Sequence, residues 1–289
     1  MMNFRSVDDL NKLIKSRLLD IPEVDAVVGI PRSGMIPASL IALYLGKPLF
    51  TVDQVLTGTA PDFTARIKNS VLEIKSLLIV DDSCNTGSCL SKVKDVLNNL
   101  ASQVKVFYAA IYVTEQAKQL VDFYFDECPL PRVFEWNIMD HIVLSNACVD
   151  MDGVLCRNPT PEENDDGEKY VKFIQTAKPL FIPQHKIKAI VTCRLEKYRE
   201  LTEQWLKAHG VKYDKLYMMS YKTAAERRMA NNYAQYKALM YTLTQATLFI
   251  ESESWEANSI HSLTNRPVYC LGNGVFYEVC RRHDCQRKD

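Results

Sequence analysis

Leu77-Leu78-Ile79-Val80-Asp81-Asp82-Ser83-Cys84-Asn85-Thr86-Gly87-Ser88 decides how the first half of the chain reads, and Ala147-Cys148-Val149-Asp150-Met151-Asp152-Gly153-Val154-Leu155 decides the second. Each is a short apolar run that ends in carboxylates and a turn of small residues. A continuous apolar run bounded in this way reads as a strand buried on both faces, the pattern of a parallel sheet covered by helices. Ligands of such sheets bind at the carboxyl ends of strands, where both acidic pairs fall.

Outward from the first run, strands and helices alternate. Ser6 with Asp9 is a capping signal for a helix whose apolar face carries Leu10, Leu13, Ile14 and Leu18. Strands are expected at 26–30, 49–52, 77–80 and 104–113, and helices at 36–45 and 88–100. The pattern restarts at Ala147, with strands at 187–191, 215–219, 247–250 and 267–271. Helices are expected at 197–209 (closed by Gly210), in a long stretch ending near Leu243, and at 256–263. The fold class is therefore α/β, with two doubly wound parallel-sheet domains at 1–140 and 146–289. The join, 128–146, carries Pro129, Pro131 and Trp136 but no Gly/Ser tract, so it reads as a short packed connection.

At 289 residues the length also favours two domains. Lys+Arg and Asp+Glu both number 35, and this balance argues against a nucleic-acid or anionic-membrane surface. No apolar run reaches the roughly 18 residues of a transmembrane segment. The polar, acidic stretch Met1–Asp9 does not read as a signal peptide, and a cytoplasmic protein is expected. Nine cysteines are scattered, several inside expected strands, which favours reduced thiols over a disulfide framework. Cys280, His283 and Cys285 lack the spacing of a zinc module and read as a polar tail.

Small polar residues Cys84, Asn85, Thr86, Gly87 and Ser88 lead straight into a helix, so their amides form an anion nest beside the helix N-terminus. Asp81 and Asp82 can accept hydrogen bonds from a vicinal diol. A ribose 5-phosphate unit fits both features. These residues resemble the signature of type I phosphoribosyltransferases. Val28-Gly29-Ile30-Pro31-Arg32-Ser33-Gly34-Met35 resembles that family's pyrophosphate loop. The resemblance covers about 1–140. It implies phosphoribosyl pyrophosphate as donor, with magnesium (Mg2+) on the pyrophosphate, Asp81 and Asp82 on the ribose hydroxyls, and Cys84–Ser88 on the 5-phosphate. Arg32, Ser33 and Gly34 would meet the leaving pyrophosphate. A covering segment would lie at 54–69, with Arg66 and Lys68. Ser83 and Cys89 depart from the family's usual aliphatic residue and Thr.

Asp150-Met151-Asp152-Gly153 resembles the first motif of the haloacid-dehalogenase-like phosphatases, and the later motifs follow in order: Thr192 ending a strand, Lys237 on a helix, and Glu251-Ser252-Glu253 ending a strand. The resemblance covers about 146–289. It implies Asp150 as nucleophile, Asp152 as acid and then base, and Thr192 and Lys237 as charge stabilisers. Magnesium would be held by Asp150, Asp152 and Glu251, with Glu253 as the competing ligand and Lys222 as the competing cation. A paired Asp is usual where this chain has Glu251. Only a small cap fits between Asp152 and Thr192, and its acidic stretch 162–168 reads as a solvated loop.

Together the resemblances imply a bifunctional enzyme. It would transfer 5-phosphoribosyl to an acceptor, favoured as a surface-polysaccharide glycan, and then remove the 5-phosphate to leave ribofuranose. Fusion would raise the effective concentration of the intermediate at the second site. A nucleobase phosphoribosyltransferase, orotate- or purine-like, joined to a nucleotidase is the alternative. A non-catalytic phosphoribosyl pyrophosphate-binding regulator is the reading from another class. A small-molecule acceptor and homo-oligomeric assembly stay open.

Overall fold

The computed structural model describes residues 2–59, 74–101 and 104–278. Arg66 and Lys68 of the expected covering segment, and Cys280, His283 and Cys285, lie outside the described residues. The chain forms two units, Met1–Trp136 and Asn137–Asp289.

In the first unit the elements are β1 (Asn3–Arg5), α1 (Val7–Ser16), β2 (Ala26–Gly29), α2 (Met35–Leu45), β3 (Leu49–Thr51), α3 (Val52–Thr57), β4 (Ser76–Cys84), α4 (Ser88–Ala101), β5 (Lys105–Val113), β6 (Phe123–Glu127) and β7 (Arg132–Phe134). Five strands form a parallel sheet in the order β3-β2-β4-β5-β6. Ser6 and Asp9 close the expected capping box of α1. Alternation along the strands splits the core in two. Val27, Leu78 and Val80 join Leu10, Ile14, Ala38 and Ile41 on one side. Val28, Leu77 and Ile79 join Leu90, Val93 and Leu97 on the other. Burial of both faces is why Ala26–Val28 and Leu77–Val80 are unbroken apolar runs.

Two features differ from the sequence expectation. The central strand β4 does not stop at Val80 but continues through both aspartates to Cys84, paired with β5 along its length. The stretch 128–146 contains a strand, β7, which pairs in parallel with β1 as a separate two-stranded sheet. Single three-residue strands carry too little periodic signal to be separated from loop.

The second unit contains β8 (Ala147–Val149), α5 (Glu168–Thr176), β9 (Ile187–Leu195), α6 (Arg199–Ala208), β10 (Tyr213–Met219), α7 (Ala224–Ala230), α8 (Tyr233–Thr244), β11 (Leu248–Glu251), α9 (Ser254–Thr264), β12 (Val268–Cys270) and β13 (Val275–Tyr277). Its sheet runs β10-β9-β8-β11-β12-β13, parallel except for β13. The strand expected last, β12, is thus followed by an antiparallel edge. The long helix expected to end near Leu243 is two helices, because Asn231 takes a left-handed φ of 43° and ends α7. Among the described residues every cysteine is free, and no helix is long and apolar enough to cross a membrane.

Gly34 shows how tightly the first unit closes around its strand ends. A Cβ there would lie 2.6 Å from the Ile30 carbonyl oxygen and 2.7 Å from that of Val80. Neither backbone atom can swing away. Gly34→Ala is expected to destabilise the chain by about 1–3 kcal/mol, read as a lower urea midpoint at unchanged slope.

Candidate functional sites

The first site gathers at the carboxyl end of β4. A cavity of about 150 Å³ is lined by Asp81 and by Cys84, Asn85, Thr86, Gly87 and Ser88. The loop is fixed from below: Asn85 Oδ1 accepts from Thr114 Oγ1 and Gln116 Nε2, both at 3.2 Å. Gly87 has φ 74°, and a Cβ there would meet Leu120 Cδ1 at 2.7 Å, so only glycine turns the chain here. The turn delivers the chain into α4, with Ser91 N donating back to the Gly87 carbonyl at 2.8 Å. Arg32, Ser33 and Gly34 follow β2, the neighbouring strand, and a Cβ at Gly34 would lie 3.0 Å from Asp81 Cα. The two loops therefore adjoin, although Arg32, Ser33 and Gly34 do not line this cavity.

Asp82 departs from the expected pair. Both acids lie within β4, and their carboxyls are close enough to interact. Asp81 lines the cavity, whereas Asp82 is buried and accepts a hydrogen bond from Trp136 Nε1 at 2.7 Å. Trp136 stacks on Phe134 at 4.9 Å and 3°, and Phe134 stacks on Tyr112 at 5.2 Å. Burial, then repulsion from Asp82, pushes the Asp81 carboxyl up to about 7. Arg132 also lines the cavity, largely buried, and its Nη1 donates to the Cys128 carbonyl at 3.1 Å. Sequence reasoning missed it, because no spacing links β7 to a loop more than forty residues earlier.

The second site gathers at the carboxyl end of β8, around a cavity of about 250 Å³. Asp150, Asp152, Thr192 and Lys237 all line it. Lys237 Nζ lies 2.9 Å from Asp150 Oδ2, 2.7 Å from Glu251 Oε2 and 2.5 Å from Glu256 Oε2. Burial alone would lower the lysine's pKa, but Asp150 and Glu251 outweigh it and hold it well above its ordinary value. Burial pushes Asp150 the other way, and Lys237 opposes that push. The competing cation, Lys222, does not line the cavity. Its backbone N donates to Glu226.

Asp152 is gripped by a fully buried arginine. Arg194 donates from Nη2 to Oδ1 at 2.6 Å and from Nε to Oδ2 at 3.1 Å, a two-pronged grip that fixes the carboxylate's plane. Thr192 and Arg194 both belong to β9, which runs four residues beyond its expected end, and the Thr192 hydroxyl accepts from the Arg194 amide at 3.2 Å. Gly153 has φ 82°, and a Cβ there would lie 2.3 Å from Ser252 Oγ, so the glycine after Asp152 is required.

Glu251, the expected metal ligand, has partners on both oxygens. One oxygen takes Lys237, and the other accepts from the Ser252 and Glu253 amides at 2.9 and 3.2 Å. It does not line the cavity, whereas Ser252 and Glu253 do. Among the described residues no group of three His, Cys, Asp or Glu side chains is placed to hold a metal ion. The available oxygen donors are one Asp150 carboxylate, the Asp152 carbonyl (on which Ser252 Oγ sits at 3.3 Å) and Glu253 at the rim. That set suits a hard cation that keeps several waters, as magnesium does. Arg194, Arg227 and Glu256 were missed by sequence reasoning, although a Thr-x-Arg alternation on β9 was there to be read.

The family described as phosphoribosyl transferase domain matches residues 3–140. An orotate phosphoribosyltransferase of Sulfurisphaera tokodaii is 32% identical over 98 residues, which are 34% of this chain and 47% of that protein. The chain thus spans about half the length of this curated relative. Among solved structures, the Helicobacter pylori xanthine-guanine-hypoxanthine phosphoribosyltransferase is 18% identical with a TM-score of 0.36, covering 48% of this chain and 93% of its own. A purine phosphoribosyltransferase from Pyrococcus horikoshii is 22% identical with a TM-score of 0.36, covering 47% and 93%.

Two outcomes follow from the electrostatics. A carboxyl raised from 3.8 to about 7 binds its proton more tightly in the folded than in the unfolded chain. Stability is therefore lost as pH rises between those values. Asp81→Asn should be more stable than wild type at pH 8, and the gap should close below about pH 4, in urea titrations across that range. Lys237→Met should cost about 3–5 kcal/mol, because it leaves three buried carboxylates without their cation. Chemical denaturation measures it, and a loss near zero would mean that they are neutral.

Proposed function

We propose that this chain is a bifunctional enzyme. Residues 1–140 would transfer 5-phosphoribosyl from phosphoribosyl pyrophosphate to an acceptor, and residues 146–289, a haloacid-dehalogenase-like domain, would then remove the 5-phosphate. The observation that carries the reading is the Asp150–Lys237 pair in a cavity at a strand end, in a chain that also has a phosphoribosyl transferase domain.

In the first step the diol and phosphate of the donor would occupy the Asp81–Ser88 cavity. Asp81 would accept from a ribose hydroxyl and the loop amides would hold the 5-phosphate. Asp82 would act through Trp136 packing instead of touching the sugar. In the second step an Asp150 oxygen would attack phosphorus and form an aspartyl phosphate, while the leaving ribose oxygen takes a proton from Asp152. Water, losing its proton to Asp152, would then release phosphate. Magnesium, when bound, would neutralise the phosphate oxygens, held by Asp150, the Asp152 carbonyl and Glu253 in place of Glu251.

A glycan acceptor is favoured. The segment from Gly153 to Lys186 holds one helix, α5, and Trp255 stands half exposed at the cavity's edge, so a bulky substrate end could enter. The second reading, a nucleobase transferase with a nucleotidase, is favoured by the orotate phosphoribosyltransferase relative. Cytoplasmic location is part of the proposal.

Incubation with phosphoribosyl pyrophosphate, magnesium and either oligosaccharides or nucleobases, read by mass, separates the readings. With oligosaccharide, wild type should add an unphosphorylated pentose. Asp150→Asn should leave the pentose phosphorylated while pyrophosphate release continues, and Asp81→Asn should stop pyrophosphate release. A nucleoside monophosphate formed from a free base, with no glycan product, would sink the glycan reading.

A further inference from the structure

The cavity at the end of β8 holds more acid than base. Asp150, Asp152, Glu253 and Glu256 line it, against Arg227 and Lys237. Lys237 is already matched by three carboxylates. Arg194, behind the wall, is matched by Asp152. A phosphate monoester brings close to two further negative charges at neutral pH. Neither matched cation can serve it without leaving a buried carboxylate unpaired.

Arg227 is placed differently. It is 9% exposed and lines the cavity. It forms no ion pair with any described residue. Its Nη1 donates to the Cys193 carbonyl at 2.6 Å, and its Nε has no partner. The ring of Tyr233 lies 5.9 Å from its Cζ, so one face of the guanidinium rests on an aromatic wall. The residue comes from α7, which Thr223 caps and Asn231 ends, whereas Lys237 comes from α8 beyond that break. A buried cation without a carboxylate is costly and persists where an anion completes it.

We propose that Arg227 is the residue that grips the phosphate oxygens of the substrate in this cavity, through the two-pronged geometry that only a guanidinium offers. The proposal deepens the hydrolytic reading of this site and rests on it for the class of substrate, a phosphate monoester. The α7–α8 break then acquires a purpose. It lets one short segment present a matched lysine to the nucleophile and an unmatched arginine to the phosphate.

The test uses the full chain with magnesium. Inorganic phosphate is titrated by calorimetry, and ribose 5-phosphate hydrolysis is followed in parallel, for wild type, Arg227→Met and Arg227→Lys. Met keeps the stem against Tyr233 and removes the charge. It should weaken phosphate binding about tenfold to a hundredfold, the loss expected for one charged hydrogen-bonding partner. Lys keeps the charge without the fork and should weaken binding by a smaller factor, with KM for ribose 5-phosphate rising in the same order. Wild-type phosphate affinity in either folded variant overturns the proposal, as does a wild-type chain that binds no phosphate. Binding that depends on Arg227 without any hydrolysis would leave Arg227 assigned and remove the phosphatase reading instead.

Discussion

A carboxylate at the end of a strand buried on both faces has to be paired with a cation or pushed toward its neutral form, and the second unit is arranged around the first of these. Asp150 follows a strand whose three residues are fully buried. Its partner Lys237 comes from α8 and also meets Glu251 from β11 and Glu256 from α9. One ammonium thus ties two helices to the carboxyl ends of two adjacent strands. The arrangement leaves Asp150 held by hydrogen bonds on both oxygens, to Lys237 and to the Met151 amide at 2.7 Å. Such a carboxylate is oriented before any substrate arrives, which is the condition for it to act as a nucleophile.

The first unit handles its acids without a cation of this kind. Asp81 makes no ion pair among the described residues, and burial raises it toward neutrality. Asp82 is satisfied by an indole N–H, a neutral donor embedded in an aromatic stack. The difference is chemical. Under the proposed function, the first site would accept hydrogen bonds from sugar hydroxyls through an unpaired carboxyl, and the second would form a bond to phosphorus through one held in place. Arg132, whose pKa burial lowers, lines the same cavity as Asp81.

The sheets were legible in the sequence because both faces of each are covered, so Val27–Val28 and Leu77–Val80 read as unbroken apolar runs. The strand ends were not. The expected end of β4 at Val80 rests on the idea that charge ends a buried strand, yet β5 continues to pair with Asp81, Ser83 and Cys84. With the strand continued, Asp81 lines the cavity and Asp82 beside it is held by the Trp136 indole. In the same way β9 reaches Leu195, which puts Thr192 and Arg194 on one face. The residues that sequence reading placed at the second cavity were those carried by ordered spacing along strand ends. Arg132, Arg194, Arg227 and Glu256 were missed because each is defined by a partner distant in sequence.

The Glu251–Ser252–Glu253 segment shows what spacing alone leaves open about a side chain's partners. They sit at the end of one strand, and a longer acid where a paired Asp is usual leaves metal binding plausible but the ligand's identity open between Glu251 and Glu253. In the structure Glu251 is the last residue of β11, fully buried, and its extra methylene reaches Lys237 Nζ at 2.7 Å. Its second oxygen turns back to accept from the next two amides, which closes the turn and leaves Ser252 beside the Asp152 carbonyl. The glutamate therefore shapes the loop that faces the cavity without facing it. A residue type chosen for reach has been used to fix a lysine and a turn, and the oxygen donors left at the cavity are its neighbours.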